Sequence, residues 1–138
     1  MKLHFPEITF QAAHYIPGHD HCGSPHGHTY FVRELTVDLP QAKLNEQGIS
    51  VDFGIIKGYF KESWDHKNII PKASLIAWQD FYSFMGYKDN LRPVISTSAE
   101  FMAQVMKKEL EGLILKEAFQ TNVVHFELCE GPAQGVFV

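Results

Sequence analysis

The sequence predicts a single α+β domain, and three observations carry that reading. Apolar and polar residues alternate near both ends of the chain, the signature of half-buried strands. Two stretches between them repeat their apolar residues at helical spacing. The resulting order of strands, then helices, then strands favours local antiparallel pairing over a parallel sheet. A chain of 138 residues with 45% hydrophobic content is long enough to bury one core of its own, so one domain spans 1–138 and disorder is excluded.

The elements follow in order. Residues 3–14 read as one strand, with Ile8, Phe10, Ala12 and His14 on one face. Residues 15–25, rich in Pro, Gly, His and Asp, form a loop, and residues 26–39 form the second strand. Strict alternation puts Tyr30, Val32 and Glu34 on one face but then moves the apolar set to Leu35 and Val37. One extra residue near Arg33–Glu34, a β-bulge, restores the phase. The segment KLNEQG is a turn, ISVDF is short and extended, and Asp52 is a helix cap. In GIIKGYFKESW, Ile56, Tyr59, Phe60 and Trp64 form the core stripe of a first helix. Thr97 is the expected N-cap of a later helix, with Glu100 as its capping-box partner. Met102, Ala103, Met106, Leu110 and Leu113 make that helix's buried face. Residues 122–130 are a strand, GPAQG turns, and GVFV is the last strand.

Composition narrows the setting. Two distant cysteines do not make a disulfide framework and fit a reducing, cytoplasmic location. The start, MKLHFPEITF, lacks the apolar run of a signal peptide, and no stretch is long enough to span a membrane. A net charge of −4 gives no general basic surface for nucleic acid.

The most informative stretch is AAHYIPGHDHCGSPHGHTY. His26 and His28 are two apart and share a face of the second strand, as His14 does on the first. Two neighbouring strands then aim three imidazoles at one point. Three protein ligands leave a fourth tetrahedral position open, which marks a catalytic rather than a structural zinc site. His19 and His21 lie in the loop and face solvent, and the chain lacks the Cys-x-x-Cys pairs of a structural zinc module. A cupin-type site fits worse, because the first acid after His28 is Glu34, six residues on.

FQAAH…CGSPHGH, then GISVDFGIIK, DHKNI and CEGP together resemble the 6-pyruvoyltetrahydropterin synthase family from about Phe5 to Val138. The Cys-x-x-x-His-Gly-His spacing is most similar to its bacterial branch, the 6-carboxytetrahydropterin synthases of queuosine biosynthesis. The resemblance implies a tunnelling fold, an antiparallel four-stranded sheet with two helices on one face. It also implies a homo-hexamer built as a dimer of trimers. It makes His14, His26 and His28 the ligands of a Zn2+ ion, Cys22 the catalytic cysteine, and Asp65 with His66 its catalytic partners. Glu130, rather than Glu127, becomes the carboxylate that holds the pterin, because a pterin offers N3–H and a 2-amino group side by side. Cys129 is the better candidate for inert packing. The implied substrate is 7,8-dihydroneopterin triphosphate, converted to 6-carboxy-5,6,7,8-tetrahydropterin with loss of triphosphate and acetaldehyde. A 6-pyruvoyltetrahydropterin synthase and a non-catalytic zinc- or pterin-binding module are the alternatives. Two departures stand out. Ser24 occupies a position often basic in the family, which shifts phosphate contacts to Lys67 or Arg33. A helical insertion at about 70–95 has Leu75, Trp78, Tyr82 and Met85 at helical spacing.

Overall fold

A computed structural model describes all residues, 1–138. The first strand is broken into β1 (Lys2–His4) and β2 (Ile8–His14). Pro6 has no N–H to give a ladder, so a break there leaves no orphaned donor. Both pieces pair antiparallel with the long β3 (His26–Asp38), β2 beside its first half and β1 beside its second. They therefore occupy one strand position. β3 pairs on its other side with β6 (Val123–Glu130), which in turn pairs with β7 (Gly135–Phe137). Those four antiparallel positions are the expected sheet.

The expected bulge is present. Between the pairs Arg33–Glu127 and Thr36–His125, β3 advances three residues while β6 advances two. Glu34 takes φ 51°, the left-handed conformation that absorbs the extra residue. The result is that Tyr30 and Val32 before the bulge, and Leu35 and Val37 after it, are all buried in one core.

Two helices cover that face. α1 (Phe53–Ser63) begins at Asp52, whose Oδ1 accepts the Gly54 N–H at 2.7 Å, as a cap does. It buries Ile56, Tyr59 and Phe60. The long helix at Ala99–Ala118 buries Met102, Ala103, Met106 and Leu110, with Ile114 completing the stripe while Leu113 is only partly covered. Its N-cap is Ser98, whose Oγ accepts the Phe101 N–H at 3.3 Å. Thr97 is not the cap: it is buried, and its hydroxyl donates to the carbonyl of Tyr15.

The segment after His66 adds more than a helix. β4 (Lys67–Pro71) pairs parallel with β2, α2 (Leu75–Met85) crosses over, and β5 (Leu91–Val94) pairs parallel with β4. The long helix after β5 is thus α3. The full sheet runs β5-β4-β2-β3-β6-β7, with β1 beside β3. Pro93 sits on the outermost strand, where a missing N–H costs no ladder bond. Ile69 belongs to the main core, so Asn68 and Ile70 point to the opposite face. α2 lies over that opposite face, where Asn68 Nδ2 donates to Tyr82 Oη at 3.2 Å. No helix of the chain is long and apolar enough to cross a membrane.

Candidate metal centre and ligand pocket

The site begins with the register of β2 and β3. His14 is paired with His26 and Ala12 with His28, so three imidazoles emerge side by side on the core face. Their ligand nitrogens all lie within 4.8 Å of one another. His14 is fully buried, and its Nδ1–H donates to the Thr97 carbonyl at 2.8 Å. His26 Nδ1–H donates to the Ser24 carbonyl at 2.8 Å. A carbonyl can only accept, so each bond fixes a tautomer and leaves Nε2 with a bare lone pair. The two Nε2 atoms face each other at 3.1 Å. Burial is the main cause that holds the His14 pKa below its usual value, with the Thr97 carbonyl and Glu130 opposing it, so the ring is neutral, the form that ligates metal.

His28 supplies the third atom. Its Nε2 is buried and has no hydrogen-bond partner. A buried polar atom without a partner is costly, and two lone pairs at 3.1 Å repel. A cation between the three nitrogens removes both defects. Tetrahedral zinc with Zn–N near 2.0 Å needs adjacent ligand nitrogens about 3.3 Å apart, close to the 3.1 Å between the His14 and His26 Nε2 atoms. The residues present therefore fit a metal ion, in a triad that leaves a coordination position open.

Glu130 stands beside the triad. It ends β6 opposite Tyr30, so it shares the core face with His28 and Tyr30. Its Oε1 is 3.6 Å from His14 Nε2 and 3.5 Å from Tyr30 Oη. Burial, then the Glu130 carboxylate, pushes the Tyr30 phenol well above its ordinary value, so Tyr30 stays a neutral donor. Glu127 is three residues away and on the other face, paired with Arg33. Cys129 is buried, and burial followed by the neighbouring Glu127 raises its thiol pKa, which makes it inert.

Cys22 lies in the loop joining His14 to His26. Its N–H donates to His19 Nδ1 at 3.1 Å, and its carbonyl accepts the Ile16 N–H at 2.6 Å. A Cβ at Gly23 would meet the His19 carbonyl oxygen at 2.5 Å, so only glycine lets the loop fold this tightly. The thiol is half-buried and stands outside the three-nitrogen cluster.

Asp65 and His66 form a pair of their own. His66 Nδ1 is 2.9 Å from Asp65 Oδ2, and the Gln11 N–H donates to Asp65 Oδ1 at 2.9 Å. Burial opposes ionisation of Asp65, but the Gln11 and His66 bonds outweigh it and hold its pKa below the ordinary value. His66 has φ 58°, a strained conformation for a residue with a Cβ. It is pinned there by its N–H to the Gln11 carbonyl and by Asn90 Nδ2 to its own carbonyl, at 2.6 and 2.8 Å. Its ring is 80% exposed. With Lys67 it lines a shallow cavity of about 420 Å³ along residues 11–13 of β2 and 27–29 of β3, His28 among them. The pair is not gathered into the histidine cluster of its own chain. Arg33 is already engaged, its Nε donating to Glu7 at 2.7 Å and its Nη1 to the Pro132 carbonyl at 3.1 Å.

Two contributors escaped sequence reasoning. Thr97 and Ser24 orient the ligands through backbone carbonyls, which every residue has, so side-chain identity carries no signal for them.

An α+β fold with three convergent histidines at one end of its sheet, placed to hold a metal ion, is an architecture of the tunnelling-fold kind. The 6-pyruvoyl tetrahydropterin synthase family model matches residues 5–138, and the chain belongs to that family. A 6-carboxy-5,6,7,8-tetrahydropterin synthase of Rickettsia bellii is 34% identical over 127 residues, covering 87% of this chain and 89% of that one. A protein of Methanocaldococcus jannaschii, provisionally given the same name, is 30% identical over 93% of this chain and 87% of its own. Among solved structures, the 6-pyruvoyltetrahydropterin synthases of Plasmodium vivax and Plasmodium falciparum share the fold. Their TM-scores are 0.61 and 0.59 at 19% and 20% identity, over the whole of this chain and 96% and 94% of theirs.

The metal site makes one direct prediction. Titration with cobalt(II) should end at one ion per chain, with the visible absorption of a tetrahedral centre. His28→Ala should lose that absorption while the far-UV circular dichroism is unchanged. Full cobalt binding by a His14→Ala/His26→Ala/His28→Ala variant would reassign the ligands to His19 and His21.

Proposed function

We propose that this protein is a zinc-dependent 6-carboxytetrahydropterin synthase. It would convert 7,8-dihydroneopterin triphosphate to 6-carboxy-5,6,7,8-tetrahydropterin, releasing triphosphate and acetaldehyde, in cytoplasmic queuosine biosynthesis. The observation that carries the proposal is the convergence of three Nε2 atoms beside the Glu130 carboxylate. The names of the curated relatives support the choice of the carboxy product over the pyruvoyl one.

His14, His26 and His28 would hold the zinc, which when bound supplies a Lewis acid for the oxygens of the substrate side chain. Glu130 receives the pterin. Its carboxylate is an acceptor only, and the N3–H and 2-amino group form the donor edge that matches it. Tyr30, a neutral phenol against the same carboxylate, keeps Glu130 aimed into the pocket. Cys22 acts as the base that removes a proton from a side-chain carbon; its half-buried place in a tightly folded loop leaves the thiol accessible. Asp65 accepts from His66 Nδ1–H, which leaves His66 Nε2 to take up or deliver a proton.

Asp65 and His66 stand outside the cluster formed by the three histidines of their own chain. In a homo-hexamer, a dimer of trimers, they would serve the pocket of a neighbouring copy. Lys67, next to His66 in the same cavity, is the free cation for the triphosphate, since Arg33 is held by Glu7.

Incubation with dihydroneopterin triphosphate tests the reaction. The expected products are a pterin of the 6-carboxy mass and an equivalent of acetaldehyde. A 6-pyruvoyl mass without acetaldehyde would establish the sister activity, and no turnover by metal-loaded protein would leave a binding module. Cys22→Ala should abolish turnover and keep both metal and pterin binding, whereas Cys129→Ala should be mild.

The pterin anchor is tested by calorimetry. Glu130→Gln loses a charged acceptor and sets a donor against a donor edge. That costs about 2–4 kcal/mol, or about thirty- to a thousandfold in affinity, with the metal retained. Glu127→Gln should bind normally, because Glu127 faces the other side of the sheet. Equal affinity in the two variants rejects Glu130 as the anchor.

A further inference from the structure

The turn that delivers Asp65 and His66 is locked from both sides by β5 and the loop before it. Ahead of the pair stands Trp64, fully buried, with the Arg92 guanidinium of β5 over its ring at 4.6 Å. Arg92 Nη2 donates to both Glu109 oxygens at 2.5 and 2.6 Å, and Tyr59 Oη donates to Glu109 at 2.7 Å. Trp64 Nε1 donates in turn to Tyr59 Oη at 2.8 Å. One network therefore ties α1, α3 and β5 together at the residue before Asp65. Beyond the pair, the Asn68 N–H donates to the Asn90 carbonyl at 3.0 Å, and the β4–β5 ladder opens at Asn68–Leu91.

Below that rung the ladder stops, and a side chain stands in for it. In a parallel pair each residue bonds to the positions on either side of its partner. A continued ladder would thus give the His66 carbonyl the backbone N–H of Asn90. With His66 at φ 58° the strand does not continue. Asn90 Nδ2 donates to that carbonyl instead, at 2.8 Å. A carbonyl only accepts, so the amide must face it with its NH2 group. Asn90 Oδ1 is then left buried without a hydrogen-bond partner. That is a cost, and the left-handed conformation of His66 is another. Neither secures packing for the His66 ring, which is 80% exposed. What the clasp fixes is the direction of the imidazole, whose Nδ1 lies 2.9 Å from Asp65 Oδ2.

We propose that Asn90 is a positioning residue for the Asp65–His66 pair, its amide holding the His66 backbone in the left-handed turn that keeps the imidazole in line with Asp65. The proposal rests on the reading of that pair as the proton-transfer group. It gives the insertion that carries α2 and β5 a part in the chemistry, because the loop between them reaches back to set the proton carrier.

Nitrogen NMR of the full chain with isotope-labelled histidine tests the clasp without any substrate. At alkaline pH, where imidazole is neutral, the wild-type His66 should show a single tautomer with its proton on Nδ1. The signal is assigned by its loss in His66→Gln. Asn90→Ala should give a mixture of both tautomers, while cobalt(II) binding and circular dichroism are unchanged. Asn68→Ala, which frees Tyr82 of α2 from the same pair of strands, should keep the single tautomer. Turnover supplies the second arm. Asn90→Ala should lower kcat about ten- to a hundredfold at unchanged KM, the scale of a displaced catalytic group. In a His66→Gln background it should lower kcat no further, since the two residues act as one unit. An unchanged tautomer in Asn90→Ala, or an equal loss of kcat with and without His66, overturns the proposal. Absence of turnover by the wild-type protein would reject the pterin chemistry instead, and the tautomer alone would then decide whether Asn90 holds the ring.

Discussion

Everything at the site depends on the unbroken antiparallel register of β2 and β3, from Ile8–Val32 to His14–His26. A slip of one residue would turn every side chain of β2 to the opposite face and carry His14 away from His26 and His28. The register is held by the core it serves. Phe10 stacks on Tyr30 with ring centroids 4.9 Å apart, four residues before His14 on one strand and two residues after His28 on the other. Hydrophobic packing and ligand convergence are therefore one constraint. A variant that loosens the Phe10–Tyr30 contact acts on the three imidazoles through the strand.

The bulge at Glu34 has a second consequence. β3 is long enough to carry the histidines at its start and to bridge β1 and β6 at its end. Without the extra residue, Leu35 and Val37 would face away from α3. By taking it up as one left-handed residue, β3 keeps its apolar face inward at both ends. Its pairing with β6 then carries Glu130 to the position opposite Tyr30, beside the triad. The cap at Ser98 has a related part. It starts α3 one residue later than Thr97 would, which frees the Thr97 carbonyl for His14 and its hydroxyl for Tyr15.

Much of this was legible in the residues. The alternation of Phe10, Ala12 and His14, and of His26 and His28, specifies a shared face from sequence alone. The phase break at Arg33–Glu34 specified the bulge. The motifs from Phe5 to Val138 pointed to the family. What escaped had physical reasons. KNIIP and LRPV are too short and too rich in proline to read as strands, and their parallel pairing depends on a crossover through α2 rather than on local pattern. Thr97 and Ser98 are both good caps, and only the buried partners of Thr97 decide between them. Asp65 and His66 adjoin in sequence, yet their distance from the histidine cluster is set by how β4 meets β2.

X-ray absorption at the zinc edge of the loaded protein tests the central claim most directly. Three imidazole ligands with one open position predict a first shell of nitrogen and oxygen only, at about 2.0–2.1 Å, with imidazole outer-shell scattering. A sulfur scatterer at about 2.3 Å would place Cys22 on the metal, remove it as the base, and contradict a three-histidine centre.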